Sequence, residues 1–324
     1  MTIGPGFIAG RINFHFNNER RFFLATGARP CDNSVLSICL LLQHGGYVIT
    51  ERQSKFRAQY VGQISPWYHG LIHIGVMYGA GLSALWWCMH QLHNPSWEWW
   101  LIIPIAIVGN FAEWAMHLHV MHRLKDVFAL RAIYDRHTRQ HHQYFTDNDF
   151  TIGSIKEFRI VFFPWRVLLV LSVASAIFGW LVSLLLGPDA GYMVPITMIG
   201  HYMLYESFHF CCHVPENAFV RHCPIINSVR RHHSVHHNMG VMMHINMNLT
   251  FPLADWVMGT SDLNRGLLGH LFNGYDNTFQ KPELTALIAK FRQPHIESER
   301  VTLEGPLLDS EDLNALLPTR GARA

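Results

Sequence analysis

Charged side chains are scarce in this sequence. Asp, Glu, Lys and Arg make up 15% of its 324 residues, whereas 49% of the residues are hydrophobic. This balance argues against a wholly water-exposed surface and is typical of a protein that places much of its surface in lipid. The formal net charge is only +2. No large excess of positive charge is present to attract nucleic acid, and we expect no polyanionic partner.

Other common features are missing as well. The six cysteines form no Cys-x-x-Cys pair, and the adjacent Cys211 and Cys212 lie in an apolar stretch. We therefore expect reduced thiols in the core and a reducing compartment. No internal repeat or low-complexity tract is evident. The first residues contain no continuous apolar stretch followed by a small-residue cleavage site, and we expect no secretory signal there.

Long apolar stretches, by contrast, are plentiful. Four of them, residues 67–93, 96–118, 161–187 and 191–214, are each long enough to cross a hydrocarbon core of about 30 Å as an α-helix. A fifth, residues 34–49, is interrupted by polar side chains and two glycines. We expect it to be interfacial or buried rather than to span. The sequence thus predicts about four transmembrane helices.

The positions of the basic residues predict the orientation of these helices. Seven Lys and Arg residues precede residue 66, seven lie within 117–160 and ten follow residue 214, whereas the two short turns between spans carry none. Basic loops stay on the cytoplasmic side of a membrane. We therefore expect an all-α, multi-pass membrane protein in which four helices form two hairpins. Both termini and the loop at 119–160 are expected to be cytoplasmic.

The chain divides accordingly into three parts. We expect residues 1–65 to form a cytoplasmic N-terminal segment with an interfacial helix, and residues 66–260 to form the transmembrane and metal-binding domain. Residues 261–324 then form a cytoplasmic C-terminal segment. Within it, Pro282 is expected to begin a surface helix that is followed by a frayed end.

Histidine is unusually abundant, with 23 residues against 25 Lys and Arg together. Ten of the histidines fall into four motifs, "HLHVMH", "HTRQHH", "HFCCH" and "HHSVHH", each at or beyond the cytoplasmic end of a predicted span. The ten candidate metal ligands are His117, His122, His137, His141, His142, His209, His213, His233, His236 and His237. The predicted topology brings all four motifs to one membrane face, although the sequence separates them widely.

Helix geometry indicates which of these histidines share a face. Residues three and four apart are neighbours on an α-helix, so His137 and His141 are expected on one stripe, as are the histidines within each of the last two motifs. The first motif fits less well. Five residues advance an α-helix by about 500°, which leaves His117 and His122 roughly 140° apart. Either the helix is distorted there, or His119 is the partner of His122.

The chemistry of this many imidazoles points to metal. Neutral imidazole is a strong ligand for first-row transition metals, and nitrogen ligands with few carboxylates suit iron, zinc, copper or nickel rather than magnesium or calcium. Ten ligands are too many for one ion. They suffice for two ions with about five each, which leaves a coordination position for water or oxygen.

Several further residues are candidates for supporting roles. Glu113 and Glu206 lie within two helical turns of motif histidines, and each is expected to accept the second N–H of a ligating imidazole. Asp255 and Asp135 are weaker candidates for the same role. The histidines whose own spacing leaves their role open are His119, His201, His222, His232 and His244.

The motifs "HLHVMH", "HTRQHH", "YESFHFCCH" and "RRHHSVHH", followed by "NMNLTFPLADWVMGT", resemble the membrane-bound fatty acid hydroxylase superfamily, which includes sterol desaturases and sphingolipid hydroxylases. The resemblance covers roughly residues 110–260. It implies four transmembrane helices capped by a cytosolic, helical, histidine-rich domain. It also implies a dinuclear iron centre that uses O2 to hydroxylate or desaturate an unactivated C–H bond, generally in a lipid, and zinc is an alternative occupant as isolated. Carried over residue by residue, it makes all ten motif histidines the ligands and favours His117 over His119.

The sequence also departs from the family pattern. Three residues separate His137 from His141, where many members have two, which leaves open which imidazoles of this motif bind. No cytochrome b5 domain is present, so electrons are expected from a separate ferredoxin or cytochrome b5 type protein with an NAD(P)H reductase. Arg230 and Arg231 are expected at the surface, as a cytoplasmic anchor or as contacts for lipid phosphate or that electron donor.

Two other functions compete with this hypothesis. A metal transporter or metal store would also use many histidines, but transporters place ligands near the bilayer midplane, whereas these motifs crowd one edge. Oxidative decarboxylation of a fatty acid or aldehyde would use the same site. The sequence leaves the lipid substrate open and favours a bacterial inner membrane.

Overall fold

The computed structural model describes residues 51–147 and 149–292. This part of the chain is helical and contains no β-strand, as predicted. The α-helices are α1 (Glu51–Gly62), α2 (Gly70–His90), α3 (Ile102–Met116), α4 (Phe128–Tyr134), α5 (His142–Tyr144), α6 (Phe158–Val161), α7 (Trp165–Leu186), α8 (Pro188–His213), α9 (Ala218–His222), α10 (Pro224–His236), α11 (Leu253–Met258), α12 (Leu267–Leu271) and α13 (Pro282–Arg292). Two π-helices, π1 (His117–Met121) and π2 (Asp135–His141), continue α3 and α4, and 3-10 turns cover Trp97–Leu101 and Ile155–Glu157.

Three stretches are long and apolar enough to cross a membrane: Gly70–His90, Trp97–Met121 and Ile155–Leu186. They coincide with three of the predicted spans, and most of their side chains face outward, as contact with lipid requires. The fourth predicted span, 191–214, corresponds to α8, which is long enough but less apolar, and more than half of its residues are buried. The arrangement of four spans in two hairpins stays a prediction.

Helix α8 lies at the centre of the bundle, where it packs against α2, α3, α7 and α10. Gly187, with a φ of 93°, and Pro188 form the tight turn from α7 into α8. Gly179 and Gly191 then let the two helices approach closely, since a Cβ atom on Gly179 would lie 2.5 Å from the Gly191 carbonyl oxygen. This packing fixes the helix whose last turn carries two motif histidines.

Gly179→Ala is expected to destabilise the protein by about 1–3 kcal/mol, because the added methyl group meets backbone that has no rotamer to adopt. A thermal unfolding midpoint, measured on detergent-solubilised protein, reports this loss. Gly75→Ala in α2 is the matched control, since a Cβ atom there meets nothing within 4 Å. The control should keep its midpoint or gain slightly. Equal midpoints for the two variants would contradict the close packing of α7 and α8.

The remaining sequence predictions have mixed outcomes. The four cysteines in the described part of the chain are free thiols, as expected. Helix α13 begins at Pro282, where the surface helix was expected. The chain after residue 292 and the apolar stretch 34–49 lie outside the described residues.

Helix α10, which carries the last histidine motif, is held in place by two buried arginines. Arg230 donates to the carbonyl oxygens of Cys211 and Cys212 at the end of α8, at 2.8 and 2.6 Å. Arg231 forms a 2.6 Å ion pair with the fully buried Asp262. The prediction that these arginines act at the surface is therefore wrong, because both side chains are consumed in fixing α10 against its neighbours.

Candidate metal centre

The ten motif histidines are all buried, with at most 3% of any residue exposed, and they meet in one place. Nine of them form two groups, in each of which the ligand nitrogens lie within 4.8 Å of one another. The first group is His117, His122, His137, His142 and His236, and the second is His141, His209, His213 and His233. The tenth, His237, adjoins the second group: its Nε2 atom lies 3.2 Å from that of His141 and 3.0 Å from that of His233.

The π-helix π1 explains how His117 and His122 reach the same group. The N–H of His122 donates to the carbonyl oxygen of His117 at 3.2 Å, which is the i to i+5 bond of a π turn. With roughly 4.4 residues per turn, five residues come back to nearly the same face. The two rings are stacked with their centroids 4.9 Å apart. The helix is therefore distorted in the way that the sequence left open, and His119 is not needed as a partner.

The second π-helix, π2, divides the second motif between the two groups. The N–H of His142 donates to the carbonyl oxygen of His137, and their Nε2 atoms lie 3.2 Å apart in the first group. His141 belongs to the second group. The expectation that His137 and His141 serve one stripe is therefore replaced by a pairing of His137 with His142, because the helix has π rather than α pitch here.

Helix α10 divides its three histidines with ordinary α pitch. His233 and His237 are four residues apart and lie on the side of the second group. His236, between them in sequence, places its Nε2 atom 3.0 Å from that of His122 in the first group. One helix thus contributes to both groups, which keeps the two clusters of nitrogens adjacent.

In five of the ten rings the outer nitrogen, Nδ1, is held by the backbone. Five Nδ1 atoms hydrogen-bond to carbonyl oxygens: His117 to Met247, His141 to Ile160, His213 to Phe150, His236 to Ile245 and His237 to Phe145. His122 Nδ1 instead meets the hydroxyl of Thr138, which itself donates to the Met121 carbonyl. Because a carbonyl oxygen only accepts, each of these Nδ1 atoms carries the proton. Every such ring therefore turns an unprotonated Nε2 towards the centre.

These tautomers place lone pairs against lone pairs. The Nε2 atoms of His122 and His236 are 3.0 Å apart, and those of His141 and His237 are 3.2 Å apart, yet none of the four carries a proton to share. Protonation would not resolve the repulsion cheaply. Burial, reinforced by neighbouring imidazoles, holds the pKa of His122 well below its ordinary value, and burial lowers the pKa of His141 to about 3.

A bound cation would resolve this repulsion. The close Nε2 to Nε2 separations run from 2.9 to 3.2 Å. Metal–imidazole bonds of about 2.1 Å give neighbouring ligand nitrogens a separation of roughly 3.0–3.4 Å in octahedral to tetrahedral geometry. The observed spacing therefore fits a metal coordination shell. Neutral, buried imidazoles with fixed tautomers are the ligand form that a transition metal requires.

The turn that presents two of the carbonyls depends on a residue that the sequence analysis did not single out. Asn246 adopts a left-handed conformation, with a φ of 59°. It separates Ile245 and Met247, whose carbonyls accept from His236 and His117. Asn is among the few residues that tolerate this conformation. The sequence "INMN" at 245–248 gave no indication of this role.

The predicted supporting carboxylates act on the backbone rather than on the ligand rings. Asp255 accepts from the N–H groups of Met247 and Asn248 at 3.0 and 2.7 Å, and so fixes the carbonyl that orients His117. Glu113 accepts from the backbone of the following residues, Leu249 and Thr250. Glu206 accepts from the Tyr202 hydroxyl at 2.6 Å and from the N–H of Phe163, and Asp135 forms a 3.4 Å pair with Arg139.

The histidines with open roles lie outside both groups. His119 is exposed and packs its ring against Trp114, and His222 is also exposed. His201 and His232 bond to carboxylates, each at 3.0 Å, to Glu113 and Asp255 respectively. The half-buried His244 completes the set. The structure thus gathers all ten motif histidines and leaves these five outside both groups.

Comparison of the chain with protein-family models, with curated proteins and with solved structures gave no match. The functional argument therefore depends on the geometry of the centre.

Proposed function

We propose that the chain is a membrane-bound di-iron oxygenase, which hydroxylates or desaturates a lipid with O2 and electrons supplied by another protein. The observation that carries this proposal is the pair of adjacent, buried histidine groups with inward lone pairs, which lies at the ends of helices able to span a membrane. The family resemblance of the motifs supports the same function. In this proposal the metal centre and both termini face the cytoplasm, in a bacterial inner membrane.

Iron is the metal that the proposed chemistry needs. The donor set is entirely imidazole, which iron, zinc, copper and nickel all accept. Zinc has no redox chemistry and would give an inactive form on isolation. Two bound iron ions would supply the reductive activation of O2 and the removal of hydrogen from the substrate carbon.

The protein's own residues hold and shield this chemistry. Ten neutral imidazoles would donate lone pairs without adding negative charge, and carbonyl partners keep five of the rings from rotating. Burial of all ten excludes bulk water from the centre. The ends of α3 and α8, which carry His117 and His209, give a lipid chain a route from the bilayer to the ligands. We propose lateral entry along these two helices.

Electrons would come from a separate ferredoxin or cytochrome b5 type protein with an NAD(P)H reductase. The route for electrons would be short. Gln140 directly precedes His141 in the sequence, Gln143 directly follows His142, and both glutamines are partly exposed. A one-electron carrier that contacts this surface would therefore lie one residue in sequence from a proposed ligand.

Comparison of lipid extracts from membranes with and without the protein tests the proposal. We expect a lipid that gains one oxygen atom or loses two hydrogen atoms, and that carries the label when ¹⁸O2 is supplied in the case of hydroxylation. His236→Ala should abolish this product while the protein still inserts into the membrane. A shortened hydrocarbon product would indicate oxidative decarboxylation instead. Two tightly bound ions without any O2-dependent product, given reductase and lipid, would favour a metal transporter or store.

A further inference from the structure

A large apolar surface lies outside the three apolar spans. It comprises Trp256, Val257 and Met258 of α11 together with Leu268 and Phe272 at α12, which are 43, 54, 50, 71 and 57% exposed. We call it the α11–α12 face. Five large apolar side chains gathered on two short helices are unusual for a surface that meets only water. The face therefore has an occupant.

The α11–α12 face is attached to the histidine end of a span. Trp114, one turn before the end of α3, donates its indole N–H to the hydroxyl of Thr260 at 2.9 Å, just after α11. Asn110 of α3 donates to the carbonyl oxygen of Phe251 at 2.8 Å, just before α11. Helix α12 packs against α11 in turn. The face is thereby held at the level at which α3 ends.

Exposed aromatic residues mark this same level on the other spans. Trp67, 92% exposed, precedes α2, and Trp165, 53% exposed, begins α7. The starts of these two helices lie together, because Gly70 is packed directly against Phe158, shortly before α7. They share this end of the bundle with the metal centre, since the neighbouring Ile160 carbonyl holds a ligand. Tryptophan concentrates where the hydrocarbon of a bilayer meets its headgroups.

A second exposed apolar segment follows the outward apolar surface of α3, separated from it by π1 and the turn that carries Lys125 and Asp126. Val108, Ala112 and Met116 are exposed and four residues apart, so they form one stripe along α3. Beyond π1, Leu124 and Phe128 continue the apolar exposure, and Phe128 is 91% exposed. A phenylalanine that protrudes so far beyond a lipid-facing stripe is placed to enter the same lipid.

We propose that the α11–α12 face and the segment around Phe128 lie flat in the membrane leaflet that covers the metal centre, with their side chains among the upper acyl chains. Helices of six and five residues are too short to span, so in a membrane their apolar outer face would lie in the plane of the interface. Arg265 packs against α12, and Lys281 bonds to the Gly259 carbonyl at the end of α11, which suits anionic headgroups. This inference does not require that the chain is an oxygenase.

The inner side of α11 gives this placement a consequence. Asp255 on that side is fully buried and fixes the Met247 backbone that orients His117. In this placement, α11 alone separates the lipid from Asp255 and from the Met247 backbone that orients His117.

Photocrosslinking of the full chain in its membrane tests the inference. Benzoylphenylalanine is introduced in place of Leu268, in place of Val170 on the outside of α7 as the lipid-exposed reference, and in place of the exposed Glu283 on α13 as the polar reference. After irradiation, adducts are counted by mass spectrometry. We expect phospholipid adducts at position 268 within about threefold of position 170 and at least about tenfold above position 283.

Two results would overturn the inference. One is a phospholipid yield at position 268 that is no higher than at position 283. The other is a dominant crosslink from position 268 to a second copy of the chain, which would show that protein covers the face. The same probe in place of Phe272 repeats the measurement from the neighbouring residue, and only variants with wild-type metal content are scored, so that misfolded protein does not decide the outcome.

Discussion

His122→Ala is expected to lose the metal ion of the first histidine group, and with it all O2-dependent product. His122 contributes an Nε2 atom 3.0 Å from that of His236, and its removal leaves four imidazoles around the first position. Loss of a direct ligand should weaken binding there by at least about 100-fold, since even outer partners of a ligand are worth 10–100-fold. Metal analysis of the purified protein, per chain, should fall from two ions to one.

His119→Ala is the matched control for this prediction. It removes the same side chain three residues away, from an exposed position outside both groups. Two ions and full product are expected to remain. If the two substitutions gave the same metal content, the assignment of the first group would be wrong, and the distortion of π1 would have no role in placing ligands.

Asp255→Ala is expected to cost about 3–5 kcal/mol of folding free energy. The carboxylate is fully buried and accepts from two backbone N–H groups, from His232 at 3.0 Å and from Thr260 at 2.6 Å. Removing it leaves all four donors without an acceptor. The thermal midpoint should fall sharply, and metal content should fall with it, because the Met247 carbonyl loses its support.

The pH dependence of this contribution has a definite sign. Burial alone would raise the pKa of Asp255, but the hydrogen bonds and charge of its partners, His232 first, hold that pKa at about 2. Since the folded pKa lies below the unfolded value of about 3.9, the stabilisation is complete above about pH 4 and is lost as the pH falls towards 2. The difference in midpoint between wild type and Asp255→Ala should shrink over that interval.

Two variants separate charge from shape. Asp255→Asn keeps the volume and one acceptor oxygen but loses the negative charge, and it should fall between the wild type and Asp255→Ala. Asp126→Ala removes an exposed carboxylate from the loop two residues before α4 and should change nothing measurable. A stable Asp255→Ala protein would show that the loop around Met247 is fixed by other contacts.

The meeting of the ten histidines was predictable from sequence, because all four motifs lie at or beyond the same ends of apolar spans. The structure brings all ten together, and their role as metal ligands stays a prediction. The division of that set between two positions was not predictable. It depends on whether residues 117–121 and 135–141 wind with π or α pitch. A change from i to i+5 to i to i+4 hydrogen bonding would change which of His141 and His142 faces which group.

The support of the ligands was also hidden, for a different reason. Side-chain carboxylates can be seen in a sequence, and Glu113, Glu206 and Asp255 were expected to bond the imidazoles. The partners are mostly backbone carbonyls, which every residue possesses, so no letter identifies them. The three carboxylates do not contact the ligand rings; Asp255, for example, accepts from the backbone N–H of Met247. The two arginines next to the last motif are buried because carbonyl oxygens at the end of α8 accept from Arg230 and Asp262 pairs with Arg231.

The lone pairs that face one another across the centre tie the survival of this protein to the supply of metal. Without an ion, mutual repulsion among the Nε2 atoms must be relieved by opening the core or by protonating buried rings, and either course lowers stability. At a free metal concentration 100 times the dissociation constant, each site returns about 2.7 kcal/mol to the folded state. If the centre holds metal as proposed, a cell short of metal is expected to lose the chain to proteases rather than to accumulate it in an empty form.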